Sequence, residues 1–108
     1  MTHTFDVDVA KEYGVNPAIL LQNITTSCLN HKANESNFYD GYYWMSASIS
    51  AFEELFPYMS THQVRAALLT LLDDGLILKG NYNESPYDRT AWYTVTEKGM
   101  DKASDSRR

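Results

Sequence analysis

With 108 residues, 44% of them hydrophobic and 21% charged, the chain is long enough for one compact domain with one core and too short for two. A formal net charge of −5 argues against tight, non-specific binding to nucleic acid, because the usual footprint of such binding is a basic patch. The one cysteine, Cys28, forms no internal disulfide, and no apolar run reaches the length of a secretory h-region or a membrane span; the cytosol is therefore expected, with no membrane partner.

A short entry segment, Phe5 to Tyr13, leads to Gly14-Val15-Asn16-Pro17, where asparagine is placed to cap a helix that has proline at its first position. Leu20, Leu21, Ile24 and Cys28 then share one broad helical face, and the helix is expected to fade in the polar run from Asn30 to Asn37. Cys28 reads as a small buried hydrophobe, since no motif accompanies it. The Asn-x-Ser/Thr triplets at Asn23, Asn34 and Asn83 are compositional in a chain without a secretory route.

Asp40-Gly41 is either a tight turn or the start of a short strand, and Tyr42 to Met45 reads as a small edge strand. Ser48 caps the next helix, which carries Ile49, Phe52, Leu55 and Phe56 on one face; Ser50 with Glu53 offers an alternative capping register, and Pro57 ends the helix. After the four-residue turn Pro57 to Ser60, Ser60 and Gln63 make a capping box. Val64, Ala67, Leu68, Leu71 and Leu72 form the inward stripe of the helix that follows, which Gly75 stops. Leu76 to Tyr82 and Thr90 to Thr96 are β-rich runs around a turn-rich loop, hence a hairpin. Glu97 onward begins as a helical turn and is expected to fray.

The order helix, short strand, helix, turn, helix, hairpin is that of a winged helix-turn-helix, an α+β fold with a three-helix core and a small antiparallel sheet. One such domain is expected over residues 1–99, with 100–108 as a frayed or disordered tail. The chain resembles the N-terminal winged-helix domains of replisome-organiser and DnaD-like replication initiation proteins of phages and prophages in Gram-positive bacteria. The resemblance is carried by Phe5-Asp-Val-Asp-Val-Ala-Lys-Glu-Tyr-Gly-Val-Asn16, Ala18-Ile-Leu-Leu-Gln-Asn-Ile24, Asn37-Phe-Tyr-Asp-Gly41, Leu55-Phe-Pro-Tyr58, Gly75-Leu-Ile77, Gly80-Asn-Tyr82, Tyr87-Asp-Arg-Thr90 and Trp92-Tyr93. It covers nearly everything from Phe5 to Gly99. It implies double-stranded DNA as partner, a bacterial host cytosol as location, and a process at or near replication initiation. Members of the family carry further domains for oligomerisation or helicase loading, which this sequence does not include.

Winding the helix capped by Ser60 at about 100° per residue puts His62, Ala66, Leu69 and Asp73 opposite the core stripe, with Arg65 and Thr70 on the flanks. The stretch Arg65-Ala-Ala-Leu-Leu-Thr70 is poorer in cations than this face is in similar domains. Arg65 is placed either for a bidentate guanine contact or for an ion pair with a nearby carboxylate. Thr61 and His62 sit where helix N–H groups favour phosphate, or are ordinary first-turn polarity. Lys79 and Arg89 flank the hairpin tip; Arg89 either enters a minor groove or pairs with Asp88 or Glu84. Thr61, His62, Arg65, Thr70, Lys79 and Arg89 are the expected DNA contacts. So few cations imply weak monomer binding and favour a homodimer. Tyr82, Tyr87, Trp92 and Tyr93 read as cross-strand packing pairs rather than a base-stacking platform.

The alternative is a protein-binding domain, in which Leu69 and Ala66 with Asp73, Glu53 and Glu54 meet a basic host protein, as in a phage-encoded inhibitor with an anti-CRISPR or similar counter-defence role. No catalytic group, metal site or cofactor is expected. His3, His31 and His62 are not at ligand spacing, and Glu53-Glu54 and Asp73-Asp74 are adjacent pairs on helix turns rather than facing groups in a pocket.

Overall fold

The structure, a computed structural model, describes residues 3–105. Among these the chain forms five helices and two small antiparallel sheets, an α+β arrangement. Helix α1 spans Val7–Tyr13, where the sequence had promised only an entry segment. The Asp6 carboxylate caps it, accepting from the Asp8 N–H at 2.7 Å, and Val9 is its one buried residue. A single inward position leaves no periodicity to read.

Gly14, at φ 104°, turns the chain directly into α2, Val15–Ala33. The expected Asn16 cap is not used: the helix starts two residues earlier, capped at Gly14, and Pro17 occupies the first turn, where its missing N–H leaves no bond unmade. Pro17, Ala18, Ile19, Leu20, Leu21, Ile24, Thr25 and Cys28 are all buried, because other elements cover α2 on most sides.

Asp40-Gly41 is a tight turn. Both residues have positive φ, 51° and 86°, which fits the right-handed twist of a two-residue hairpin between β1, Phe38–Tyr39, and β2, Tyr42–Tyr43. The expected edge strand is therefore divided: Tyr42 and Tyr43 stay in this hairpin, and β3, Met45–Ser46, joins the second sheet. Tyr39 stacks on Tyr82 with ring centroids 4.7 Å apart, and Tyr82 also meets Trp44 and Trp92 at 4.9 and 5.8 Å. The Tyr82 hydroxyl donates to Asp40 at 2.6 Å, and that bond pushes the phenol pKa up to about 12.

Helix α3, Ile49–Leu55, is capped by Ser48, whose hydroxyl accepts from the Ala51 N–H at 3.1 Å. Phe52 and Phe56 are buried as expected, but Leu55 is exposed. Helix α4, Thr61–Asp73, has both halves of the Ser60–Gln63 capping box. Its C-terminus closes with the Leu76 N–H bonded to the Leu71 carbonyl at 2.9 Å and the Gly75 N–H to that of Leu72 at 3.1 Å, a Schellman arrangement that needs the positive φ of Gly75, 71°. Leu76 is thereby delivered fully buried at the start of β4, Ile77–Gly80. Strand β5, Trp92–Val95, pairs with both β4 and β3, so the sheet order is β3-β5-β4.

The tail departs from expectation. Residues Glu97–Asp105 form α5, which is anchored by the buried Ala103 and extends past the expected boundary at 99; residues 106–108 lie outside the described part. Close packing and surface bonds seat it. Gly99 presses so close to the start of β4 that a Cβ there would stand 2.1 Å from the Leu76 carbonyl oxygen. At the surface, the Tyr13 hydroxyl donates to Asp74, Lys98 pairs with Asp74 at 3.3 Å, and Lys102 pairs with Glu12 at 2.9 Å.

Helix propensity alone makes Gly99→Ala stabilising by about 1 kcal/mol. The Leu76 carbonyl reverses the sign, and a loss of roughly 1–3 kcal/mol is expected from overpacking, read as a lower urea midpoint. The Tyr13 and Lys98 bonds hold the Asp74 carboxyl below its ordinary 3.8, and the same Tyr13–Asp74 bond, with burial, holds the Tyr13 phenol above its ordinary 10.0. A lowered carboxyl stabilises above its unfolded value and loses that as pH falls; a raised phenol stabilises below its unfolded value and loses that as pH rises. Tyr13→Phe should thus be less stable than the parent at neutral pH, with the gap closing below pH 3.8 in urea melts.

Candidate nucleic-acid interface

The inward stripe of α4, with Val64, Ala67, Leu68 and Leu71 buried, fixes which residues face out. Arg65 leaves α4 on the side of the β4–β5 hairpin. Lys79 on β4 stands directly opposite Tyr93 in the antiparallel register, so the two side chains share a face. Arg89 comes from the loop between the strands. The three cations line one depression of about 410 Å³, floored by Tyr93 and walled by Ser48 at the start of α3 and by Tyr87 and Asp88 from the loop, so one carboxylate shares it with them. Burial pushes the Tyr93 phenol up, and the nearby positive charge of Arg65 draws it down.

The ion pairs that stood as the alternative to DNA contact for these arginines do not form. Among the described residues the ion pairs are Lys98–Asp74 and Lys102–Glu12, and Arg65, Lys79 and Arg89 make none. Asp88, one of the carboxylates nearest in sequence to Arg89, is engaged within its own loop. Its Oδ1 accepts from the Thr90 hydroxyl at 2.7 Å and from the Thr90 N–H at 2.9 Å, and these bonds hold its pKa below the usual carboxylate range.

The other expected contacts lie elsewhere. The Thr61 hydroxyl donates to the Glu53 carboxylate on α3, so Glu53 ties the α3–α4 turn together and Thr61 is committed within the chain. His62, Ala66 and Thr70 line a separate depression with Asn16 and Pro17 of α2. The Thr70 hydroxyl donates to the Ala66 carbonyl of its own helix at 3.0 Å. Leu69 stands on the crest of α4 between the two depressions, 57% exposed, with Asp73 one turn on; Glu54 is exposed on α3. The six expected contacts are thus divided: Arg65, Lys79 and Arg89 converge, His62 and Thr70 share the other flank, and Thr61 joins neither.

Tyr82, Trp92 and Tyr93 pack as the sequence suggested, but Tyr87 does not: it is 92% exposed. The only available signal was its place inside Ser85-Pro86-Tyr87-Asp88, where strand alternation has already stopped. Asn83, which carried no expectation, organises the loop. Its side-chain amide donates to the carbonyls of Thr90 at 2.8 Å and Asp88 at 3.0 Å, while its oxygen accepts from the Trp92 indole at 2.8 Å.

Cys28 is buried, and its thiol pKa is pushed up by that burial. Among the described residues no group of three or more His, Cys, Asp or Glu side chains is placed to hold a metal ion, and no helix is long and apolar enough to cross a membrane. Compared with protein-family models, curated proteins and solved structures, the chain matches none of them.

Proposed function

We propose that the chain is a winged-helix domain that binds duplex DNA, with α3 and α4 as the helix-turn-helix and the β4–β5 hairpin as the wing. The observation that carries the reading is the convergence of Arg65, Lys79 and Arg89, from three separate segments, on one depression with no carboxylate paired to any of them among the described residues. Three positive charges against the one lining carboxylate, Asp88, whose Oδ1 is bonded to Thr90, leave a net positive depression that suits an external anion, and a duplex backbone supplies phosphates at regular spacing. The helix order and the β3-β5-β4 sheet agree with this fold. The resemblance to phage and prophage replisome organisers adds replication initiation or its regulation as the process, and the bacterial cytosol as the place.

Contact is predicted through the wing side of α4 rather than through its N-terminus, because Thr61 is held by Glu53. Three neutralised phosphates give a slope of about −2.7 in log affinity against log salt, and a loss of roughly 40-fold between about 50 and 200 mM salt. In fluorescence anisotropy with labelled duplex, Arg65→Ala with Arg89→Ala should weaken binding and flatten the slope to about −0.9. A slope unchanged by the double substitution, or no binding at low salt, would sink the reading.

One observation favours a second reading. Leu69 is 57% exposed beside the exposed Ala66 and Asp73, a combination of apolar anchor and acid that fits a basic protein, as expected of a host-protein inhibitor. Under that reading Leu69→Asp abolishes partner binding and the arginine substitutions leave it unchanged; under the DNA reading the pattern is reversed.

A further inference from the structure

Tyr87 projects from the loop beside the three cations and is left without a role by phosphate contacts alone. At 92% exposure it keeps almost its whole ring in water, and among the described residues it makes no ring contact, whereas Tyr39, Trp44, Tyr82 and Trp92 pack on one another. The loop that carries it is not slack. The Tyr87 N–H donates to the Ser85 hydroxyl at 3.2 Å, the Asp88 N–H to the Ser85 carbonyl at 3.2 Å, and Asn83 fastens the far side to Thr90 and Asp88. The backbone that carries the ring is thus braced, and the ring itself stands in water on the wall of the depression that contains Arg65, Lys79, Asp88 and Arg89.

An exposed aromatic face next to unpaired cations matches two parts of one nucleotide, a flat base and its phosphate. Inside a duplex the base faces are covered by their neighbours and only the edges are offered. A free face exists where a base is unpaired: in a bulge, a tail or an opened end. Resting on the DNA-binding reading above, we propose that Tyr87 with Lys79 and Arg89 forms a subsite for an unpaired nucleobase and its phosphate, so that the domain prefers a duplex carrying a short single-stranded tail to one that is fully paired. The base stacks on the Tyr87 ring, and the phosphate lies toward Lys79 and Arg89, with the Asp88 carboxylate of the same lining held to Thr90.

The test compares two labelled DNAs of one sequence, a blunt duplex and the same duplex with a four-thymine tail, against the parent, Tyr87→Ala, Tyr87→Trp and the double variant with Arg65→Ala and Arg89→Ala. The parent should bind the tailed DNA roughly ten-fold more tightly, the size of one base stacked on an aromatic ring. Tyr87→Ala should erase that preference and leave blunt-duplex affinity within about two-fold; Tyr87→Trp should retain the preference. Equal affinity of the parent for both DNAs, or a preference that survives Tyr87→Ala, overturns the subsite. If blunt-duplex binding is still lost in the double arginine variant, the duplex reading stands without it. Failure of the parent to bind either DNA overturns both. An unchanged urea midpoint for Tyr87→Ala, as its exposure requires, removes misfolding as an explanation.

Discussion

Nearly every feature of the molecule depends on the burial of α2. It packs against α1, α4, α5 and β5, and also touches β2 and β3, so six of the other elements are placed against a single apolar rod. Leu20, Leu21 and Ile24, all essentially inaccessible, require facing surfaces on different sides of the helix. The inward stripe of α4 meets one of those surfaces, which rotates Arg65 toward the hairpin and leaves Leu69 on the crest. The direction in which α4 presents its polar residues therefore follows from apolar packing and not from any contact the polar residues make.

Net charge is a poor guide to the potential at the depression. Much of the acidity is engaged within the chain: Asp40 accepts from Tyr82, Asp74 from Tyr13, Asp88 from Thr90 and Glu53 from Thr61, while Glu12 pairs with Lys102. A carboxylate bonded to a hydroxyl keeps its charge, but the bond fixes where that charge sits. Asp74 and Glu12 lie at the α1–α5 side, away from Arg65. Asp88 does line the depression, but it is bonded to Thr90 and pairs with none of the cations, so a chain with a formal charge of −5 still has a place where three cations outnumber one carboxylate.

Where local chemistry and tertiary packing agree, the sequence was readable. The Ser60–Gln63 box, the Ser48 cap, the inward stripe of α4 and the Gly75 stop all act within one or two turns, and all four are present. α1 was not readable and α5 only in its first turn, because each is held from a distance, by Asp74 or by the Leu76 carbonyl meeting Gly99. The same limit applies to the site. Residue types singled out Arg65, Lys79 and Arg89, but the divergence of His62 and Thr70, the capture of Thr61 by Glu53 and the exposure of Tyr87 depend on partners many residues away. Convergence of side chains from separate segments is a tertiary property, which spacing along one helix does not encode.

The aromatic cluster at the base of the β4–β5 hairpin has a spectroscopic consequence. The chain has two tryptophans, and both Trp44 and Trp92 belong to that cluster, in contact with Tyr82 on either side. Indole emission therefore reports on the joint between the β1–β2 hairpin and the sheet, whereas far-ultraviolet dichroism reports on the helices packed around α2. The two signals view different parts of one small domain, so their coincidence or separation during unfolding measures directly whether the hairpin joint and the helical core melt as a single cooperative unit.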